Sequence, residues 1–425
     1  MTEIKYYSGT LTGNKYKPGI TFDFHVAVPM ADCREYALLV EHDGLNDANV
    51  SSMLKLADEE KAPYCVNVGV MPGYMIMPNG TKRGMRMNSY DLFDREYGDF
   101  IVFELIPYIA KEYSIKISNS PDMHMTSGGS SGGISAFVLA WFHPDFFRRV
   151  FMSSPSFLSM GRGNEIPYLI RKYETKPIRI YEEFSQNEPN DYFGCSTPID
   201  QEAREALEFA GYDFKCKYFE GEGHCSRYRN ESEAYDRNEW LWRGWRESNI
   251  TPSRNSPRVD KVIPSSSEWE ICEKFPEKAD NDIPKILAQC FDCVVLSNDA
   301  QAFYAADKAS DIVLMYPNAK NLSVENRILH ATLHTIARIE PKGVIDMASD
   351  KGDRLFALTS IGIQCIRSFG LIDVILDLPD NAQPLEIAID DALYVKTATG
   401  SYKRELCSAC TVSDEAPRKA VGYYD

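Results

Sequence analysis

The chain has 425 residues, and its 46 Lys and Arg stand against 62 Asp and Glu, for a net charge of −16. This acidic excess argues against binding to a nucleic-acid backbone or to an anionic lipid surface, because both need a basic face. Hydrophobic residues make up 44% and charged residues 25%, which excludes a disordered chain. At this length we expect two domains.

The first 250 residues alternate between strand and helix patterns. The predicted strands cover residues 20–28, 36–40, 65–70, 123–126, 178–181 and 214–219. The predicted helices cover residues 100–113, 132–141, 199–210 and 233–245. Gly211 supplies the usual C-terminal stop for the third of these helices. Strands separated by helices indicate a mostly parallel sheet that is covered on both faces, and therefore an α/β fold.

The sequence changes character at residue 251. Proline and serine clusters indicate a linker over residues 251–267. Beyond it short strand patterns follow one another, at 291–296, 302–306, 312–316, 355–359, 363–366, 373–376 and 393–396. Such spacing is typical of an all-β module. The predicted organisation is therefore an α/β domain over residues 1–250, a linker over 251–267 and a smaller all-β domain over 268–425.

Cysteine usage and the N-terminal sequence bear on the compartment. The 11 Cys are scattered and odd in number, which favours free thiols in a reducing environment. The first residues show no apolar segment of signal-peptide type, and no apolar run approaches the ~18 residues of a membrane span. We therefore expect a cytoplasmic protein without membrane partners.

A glycine- and serine-rich segment at 126–133 lies between a predicted strand and a predicted helix. It satisfies G-x-S-x-G twice, with either Ser130 or Ser131 at the centre. In this motif a sharp turn lifts a serine above the sheet, and small neighbours are needed because a Cβ would collide with the adjoining strand or helix. The segment predicts a nucleophile elbow, against the alternative of a glycine-serine loop without chemistry.

A serine nucleophile needs a base, which comes last in chain order in this fold. Four of the 7 His follow Ser130. We expect His143 to end the nucleophile helix, while His330 and His334 fall in the all-β part. His224 remains, in a glycine-rich loop directly after a predicted strand. His224 is therefore the predicted base.

The orienting acid is expected after the strand at 178–181. Glu182 and Glu183 lie close to that strand, and Glu188 and Asp191 lie in the loop that follows. Spacing alone does not separate these four carboxylates.

Six short segments spread over residues 1–248 share the pattern of one known family. They are residues 17–21 with 28–29, 42–44, 86 with 90–91, 128–133, 210–213 and 221–224. Together they resemble the bacterial putative-esterase family of enterochelin-esterase and feruloyl- or acetylxylan-esterase type. The resemblance implies an α/β-hydrolase fold and a serine carboxylic ester hydrolase that needs no cofactor and no metal.

The same resemblance implies the identity of the catalytic residues. It places the nucleophile on Ser130 rather than Ser131, and His224 as its base. It places the acid on Glu188, with Asp191 as the alternative, because the family usually has Asp at this position. The expected substrates are small acylated carbohydrates or phenolic esters, such as acetyl- or feruloyl-oligosaccharides.

The resemblance also implies the surroundings of the catalytic residues. The oxyanion hole would consist of backbone N–H groups of Ser131 and of the loop at Gly44 and Leu45. Arg86 and Tyr90 would line the substrate pocket, against the alternative of a structural pair between the arginine and a carboxylate.

Residues 268–425 carry a second likeness. Segments 296–299, 304–307 and 358–364 resemble part of a gluconolactonase-like β-propeller of the senescence-marker-protein type. A six-bladed propeller at ~45 residues a blade needs about 270 residues, so we expect an incomplete propeller whose exposed strand edges favour a homo-oligomer. Lys342 stands where related sequences often have Asp, so a metal-dependent lactonase is the lesser alternative. A non-catalytic scaffold or binding protein is the other.

Two C-x-x-C pairs occur, Cys290 with Cys293 and Cys407 with Cys410. Together they could bind zinc. They are far apart in sequence, and the first pair falls on a predicted strand, where the thiols would point apart. We therefore expect no zinc site.

Overall fold

The computed structural model describes residues 2–247, 250–251, 255–265, 267–277, 283–317, 319–336, 339–352 and 354–407. The chain forms two compact units, one of Met1–Arg171 and Thr175–Arg254, the other of Lys172–Glu174 and Asn255–Asp425. Within the described ranges, no helix combines the length and the apolar character needed to span a membrane.

A mixed sheet of ten strands forms the centre of the first unit. The strands described in this unit, β1 to β12, are Ile4–Thr12, Thr21–Pro29, Ala37–His42, Cys65–Val70, Tyr74–Ile76, Lys82–Gly84, His124–Gly129, Arg149–Ser153, Arg179–Asn187, Asn190–Asp191, Gly194–Cys195 and Asp213–Gly223. The sheet order is β12-β9-β8-β7-β3-β4-β2-β5-β6, with β1 paired to β2, and β10 and β11 pair separately. The six strands from β12 to β4 run parallel, and the others pair antiparallel.

Helices accompany the parallel strands. The helices described in this unit, α1 to α7, are Asp47–Asp58, Glu96–Phe100, Ile106–Glu112, Ser131–Phe142, Ile166–Lys172, Ser196–Ala210 and Glu231–Trp242. A wider π-helical turn at Ile101–Leu105 joins α2 to α3. Strands β3, β4, β7 and β8 are buried along their whole length, as expected for parallel strands with both faces covered.

The predicted α/β order is confirmed for this unit. Each of the six predicted strands and four predicted helices is present, with bounds that differ by a few residues. Gly211 ends α6 in the left-handed conformation, with φ 83°, where glycine carries no steric penalty. Strands β1, β5, β6, β8, β10 and β11 and helices α1 and α5 were not predicted.

The second unit consists mainly of strands. Those described, β13 to β24, are Glu270–Ile271, Cys293–Leu296, Ala302–Ala306, Ile312–Pro317, Ile328–Thr332, Asp346–Ser349, Leu355–Thr359, Gly362–Ile366, Ile372–Leu376, Pro384–Ile389, Leu393–Thr397 and Ser401–Arg404, and helix α8 is Lys285–Cys290. They form three four-stranded sheets, β14 to β17, β18 to β21, and β22 to β24 with β13. The pairings are antiparallel. The predicted all-β character is confirmed.

The described part of the predicted linker differs from expectation. Residues 255–265 belong to the second unit, and Val259, Val262 and Ile263 are buried in its core. These three apolar residues follow i, i+3, i+4 spacing, and a short 3₁₀ turn at Val259–Lys261 presents them together. The surrounding proline and serine residues concealed this pattern.

Candidate active site

The turn between β7 and α4 has the geometry of a nucleophile elbow. Ser130 joins the two elements with φ 56° and ψ −125°, a conformation that non-glycine residues adopt only under constraint. Four main-chain bonds hold it. Its N–H donates to the Ser153 carbonyl at 2.9 Å, and its carbonyl accepts the N–H groups of Gly133 at 2.9 Å and of Ile134 and Ser156 at 3.2 Å. The strained serine is therefore held on both sides of its peptide unit.

Small residues are required around this turn, as predicted. A Cβ on Gly128 would lie 2.2 Å from the Gly132 carbonyl oxygen, and a Cβ on Gly132 would lie 2.9 Å from Cβ of His42. His42 is fully buried, and its Nδ1 lies 2.9 Å from the Ser127 carbonyl oxygen. Burial lowers the pKa of His42 to about 4. The imidazole is therefore uncharged near neutral pH, and it packs beneath the elbow.

The two candidate serines occupy different environments. Ser130 is half-buried, and its Oγ lies 3.2 Å from Oγ of Ser156. Ser131 is the first residue of α4 and is buried, and its side chain acts to lower the pKa of Asp91. Burial nevertheless raises the pKa of Asp91 above its ordinary value.

The structure brings His224 and Glu188 into direct contact. His224 follows β12 and Glu188 follows the neighbouring β9, and Nδ1 of the imidazole meets Oε2 of the carboxylate. The Glu188 side chain is 1% exposed and that of His224 is 33% exposed. Hydrogen bonds with the Cys225 thiol and with Glu188 raise the pKa of His224 above its ordinary value. Within residues 2–247, Ser130 Oγ bonds to Ser156 and not to His224.

In the described part of the chain, no hydrogen bond to His224 is seen for the other three carboxylates. Asp191 lies on β10 and accepts the Phe193 N–H at 2.8 Å. Glu183 is buried on β9 and pairs with Arg237 at 3.0 Å. Glu182 is also fully buried on β9, and burial raises its pKa well above the ordinary value.

The loop after β3 changes part of the predicted oxyanion hole. The Gly44 N–H donates to the Val70 carbonyl at 3.3 Å, so of the two predicted donors in this loop it is the one that already has a partner. Over residues 2–247, no hydrogen-bond partner is seen for the N–H groups of Leu45 and Ser131. Ser131 begins a helix, whose first N–H groups have no partner within it. These two N–H groups remain candidates.

Arg86 and Tyr90 support the same loop. Arg86 forms a two-pronged ion pair with Asp43, whose φ is 66°. Tyr90 is 1% exposed, accepts the Asp43 N–H at 3.2 Å and donates to the Val70 carbonyl at 2.7 Å. The Tyr90 hydroxyl is thus buried and bonded on both sides, and its predicted place in the substrate pocket stays a prediction. Arg86 forms the structural pair that was the alternative.

Several residues of this region were not predicted. Ser154 and Ser156 follow β8, a strand with no recognised signal, and they contact Glu188 and Ser130 respectively. Arg237 on α7 is fully buried and donates to Asn49 at 2.8 Å and to the Tyr228 carbonyl at 3.0 Å. If the strand at 149–153 had been predicted, Ser154 and Ser156 would have been expected at its carboxyl end, close to the elbow.

The second unit separates the first cysteine pair. Cys290 ends α8 and is exposed, whereas Cys293 begins β14 and is buried with its Sγ 3.7 Å from Asp346. The predicted strand thus starts two residues later than expected. Cys410 lies outside the described residues. Among the residues that are described, no group of three His, Cys, Asp or Glu side chains could hold a metal ion.

Fold and site together define a class. A parallel-centred sheet, a strained serine between strand and helix, and a histidine–carboxylate pair after later strands make the first unit an α/β-hydrolase-like domain. Residues 22–249 match the family model described as putative esterase, which is more than half of the chain. The chain belongs to the putative esterase family and is a carboxylic ester hydrolase. No match was found among curated proteins.

Three solved structures illustrate the structural likeness. A ferulic acid esterase is 17% identical, with 57% of this chain and 98% of that chain covered and a TM-score of 0.42. The enterobactin esterase from Shigella flexneri is 18% identical over 56% of this chain and 60% of that chain, with a TM-score of 0.42. An S-formylglutathione hydrolase from Agrobacterium tumefaciens is 14% identical over 56% and 94%, with a TM-score of 0.41.

Proposed function

We propose that the chain is a serine esterase in which Ser130 is the nucleophile, His224 the general base and Glu188 the orienting acid. The observation that carries this proposal is the contact between Nδ1 of His224 and Glu188, on loops at the same sheet edge as the elbow. With one ring nitrogen held by the carboxylate, Nε2 is the nitrogen that can accept the serine proton. The positive φ of Ser130 supports its choice over Ser131.

The mechanism follows from these roles. Ser130 Oγ leaves Ser156, attacks the ester carbonyl and gives its proton to His224. The N–H groups of Ser131 and Leu45 would hold the oxyanion. The tetrahedral intermediate collapses, and the departing alcohol takes the proton from His224. Water then gives a proton to the same imidazole as it attacks the acyl-enzyme. Collapse of this second intermediate releases the acid, and Ser130 Oγ takes the proton back from His224.

The substrate that we propose is a small acylated carbohydrate or phenolic ester, of the acetyl- or feruloyl-oligosaccharide kind. The sequence resemblance described above supports this class, and the net charge of −16 disfavours polyanionic partners. We further propose that the second unit is a scaffold derived from an incomplete propeller. Its three four-stranded sheets support this, and their edges would favour self-association.

Turnover of p-nitrophenyl acetate and methyl ferulate by the full chain tests the proposal. We expect Ser130→Ala to abolish turnover and Ser131→Ala to retain it, with no effect of a chelator. A fluorophosphonate should label Ser130, as located by mass spectrometry of peptides. Labelling of Ser131, or full activity of Ser130→Ala, would exclude the proposed nucleophile. Loss of turnover on chelation would instead indicate metal-dependent hydrolysis.

A further inference from the structure

Ser154 occupies a constrained position between the elbow and the acid. It follows β8, which lies in the sheet between β7, where the elbow begins, and β9, which leads to Glu188. The residue is 2% exposed, its φ is 45°, and its N–H donates to the Glu183 carbonyl at 2.7 Å. A buried serine in the left-handed region indicates that its surroundings determine its conformation.

The hydroxyl of Ser154 joins two different loops. Its Oγ lies 2.6 Å from Oε1 of Glu188 and accepts the main-chain N–H of Cys225 at 3.1 Å. A hydroxyl has a single hydrogen. Because the carboxylate of Glu188 is an acceptor and the Cys225 N–H is a donor, the Ser154 proton must point to the carboxylate. Its direction is therefore determined by its partners.

We propose that Ser154 is a positioning residue that holds the acid Glu188 and the loop of the base His224 in one arrangement. This inference rests on the proposed function of the site. Glu188 follows β9 and His224 follows β12, and one hydroxyl on a third strand end contacts both loops. Tying the loops together keeps the imidazole oriented, and orientation of the base is what a triad acid provides.

The remaining contacts of the carboxylate cannot replace this link. The Ser185 N–H also donates to Oε1 of Glu188, at 3.2 Å. Ser185 lies on β9, the strand that leads to the acid, so this bond does not involve the histidine loop. The titratable groups that act on His224 are Glu188 and Cys225. Asp200 interacts electrostatically with Glu188. Removal of the Ser154 hydroxyl should therefore act on His224 through the Glu188 contact and through the lost bond to the Cys225 N–H.

Two substitutions and a matched control test the proposal. Ser154→Ala removes the hydroxyl, and Ser154→Gly removes it while relieving the positive φ. Ser159→Ala removes a nearby exposed hydroxyl that donates to the Phe193 carbonyl at 2.8 Å. We expect both Ser154 variants to lose about 10- to 100-fold in kcat with little change in KM, and the control to remain at the wild-type level.

The titration of His224, followed by NMR of ¹³C-labelled histidine, gives a readout that needs no turnover. Because contacts with Cys225 and with Glu188 raise the pKa of His224, loosening both loops should let the ring titrate about one pH unit lower. An unchanged titration in the glycine variant would overturn the proposal, even if both Ser154 variants are less stable. The Ser154 variants could show this titration shift while the wild-type protein shows no ester turnover. That result would leave the positioning role intact and refute the esterase function.

A double-mutant comparison shows whether Ser154 acts through the acid. In a Glu188→Ala background, Ser154→Ala should change kcat by less than about threefold, since the carboxylate that the hydroxyl orients is then absent and only the bond from the Cys225 N–H is lost. A full loss in that background would mean that the two residues act independently, and the proposal would be wrong.

Discussion

Glu41 should make the folding stability depend on pH over the neutral range. It lies on β3, is fully buried, and accepts the Asn46 N–H on Oε2 at 2.7 Å. Burial raises its pKa from the ordinary 4.5 to about 8, against the smaller opposing effect of that N–H. The folded protein therefore holds Glu41 protonated at pH 7, whereas the unfolded chain ionises it.

The sign and size of the effect follow from linkage. Because the folded pKa is raised, the contribution of Glu41 to stability is complete below about pH 4.5 and is lost as the pH rises through 8. The gap of about 3.5 pH units, at about 1.4 kcal/mol each, sets an upper limit of about 5 kcal/mol. The Gln side chain of Glu41→Gln is uncharged at every pH, so the stability of this variant should lack the pH dependence caused by Glu41. Its free energy of unfolding should therefore rise relative to that of the wild type as the pH rises.

Urea unfolding at pH 5, 7 and 9, followed by tryptophan fluorescence, measures the free energy of unfolding of both proteins. The difference between Glu41→Gln and the wild type isolates this carboxyl from other buried acids. Glu60→Gln is the control, because its side chain is 83% exposed. Equal pH dependence of the wild type and Glu41→Gln would refute the reasoning, since it would show that Glu41 is charged in the folded state.

Two further predictions concern the elbow and its support. Gly128→Ala would place a Cβ 2.2 Å from the Gly132 carbonyl, so we expect less than about 1% of wild-type esterase activity. Gly84→Ala, where nothing lies within 4 Å, should retain activity, and equal activities would contradict the steric argument. Arg237→Met leaves the buried Glu183 carboxylate without its cation and should cost about 3–5 kcal/mol in urea unfolding. A loss under about 1 kcal/mol would show that the pair is not needed.

Local signals account for the predictions that were confirmed. The apolar runs of β3 and β4 and the small residues around the elbow depend on neighbours in the chain, as does the glycine that ends α6. Such features follow from the backbone geometry of one segment, so they can be read without knowing the fold. The α/β order and the elbow geometry belong to this class.

Contacts between distant segments account for the rest. Spacing alone did not separate the four carboxylates near β9, and the family resemblance favoured Glu188. In the structure the loop after β12 brings His224 to Glu188. The Gly44 N–H is bonded because the Val70 carbonyl lies on the neighbouring strand. The contacts of Ser154 exist because the loops that carry Glu188 and Cys225 meet at its hydroxyl.

The sequence by itself determined the order of strands and helices, the glycine-rich elbow and the histidine that follows the last strand of the sheet. Only the tertiary structure decided which acid meets that histidine and which N–H groups are already bonded. It also revealed the hydroxyl that joins the two loops. The physical reason is that the lateral order of the parallel strands sets the hydrogen-bond partners. This order brings together strand ends that are tens of residues apart in the sequence.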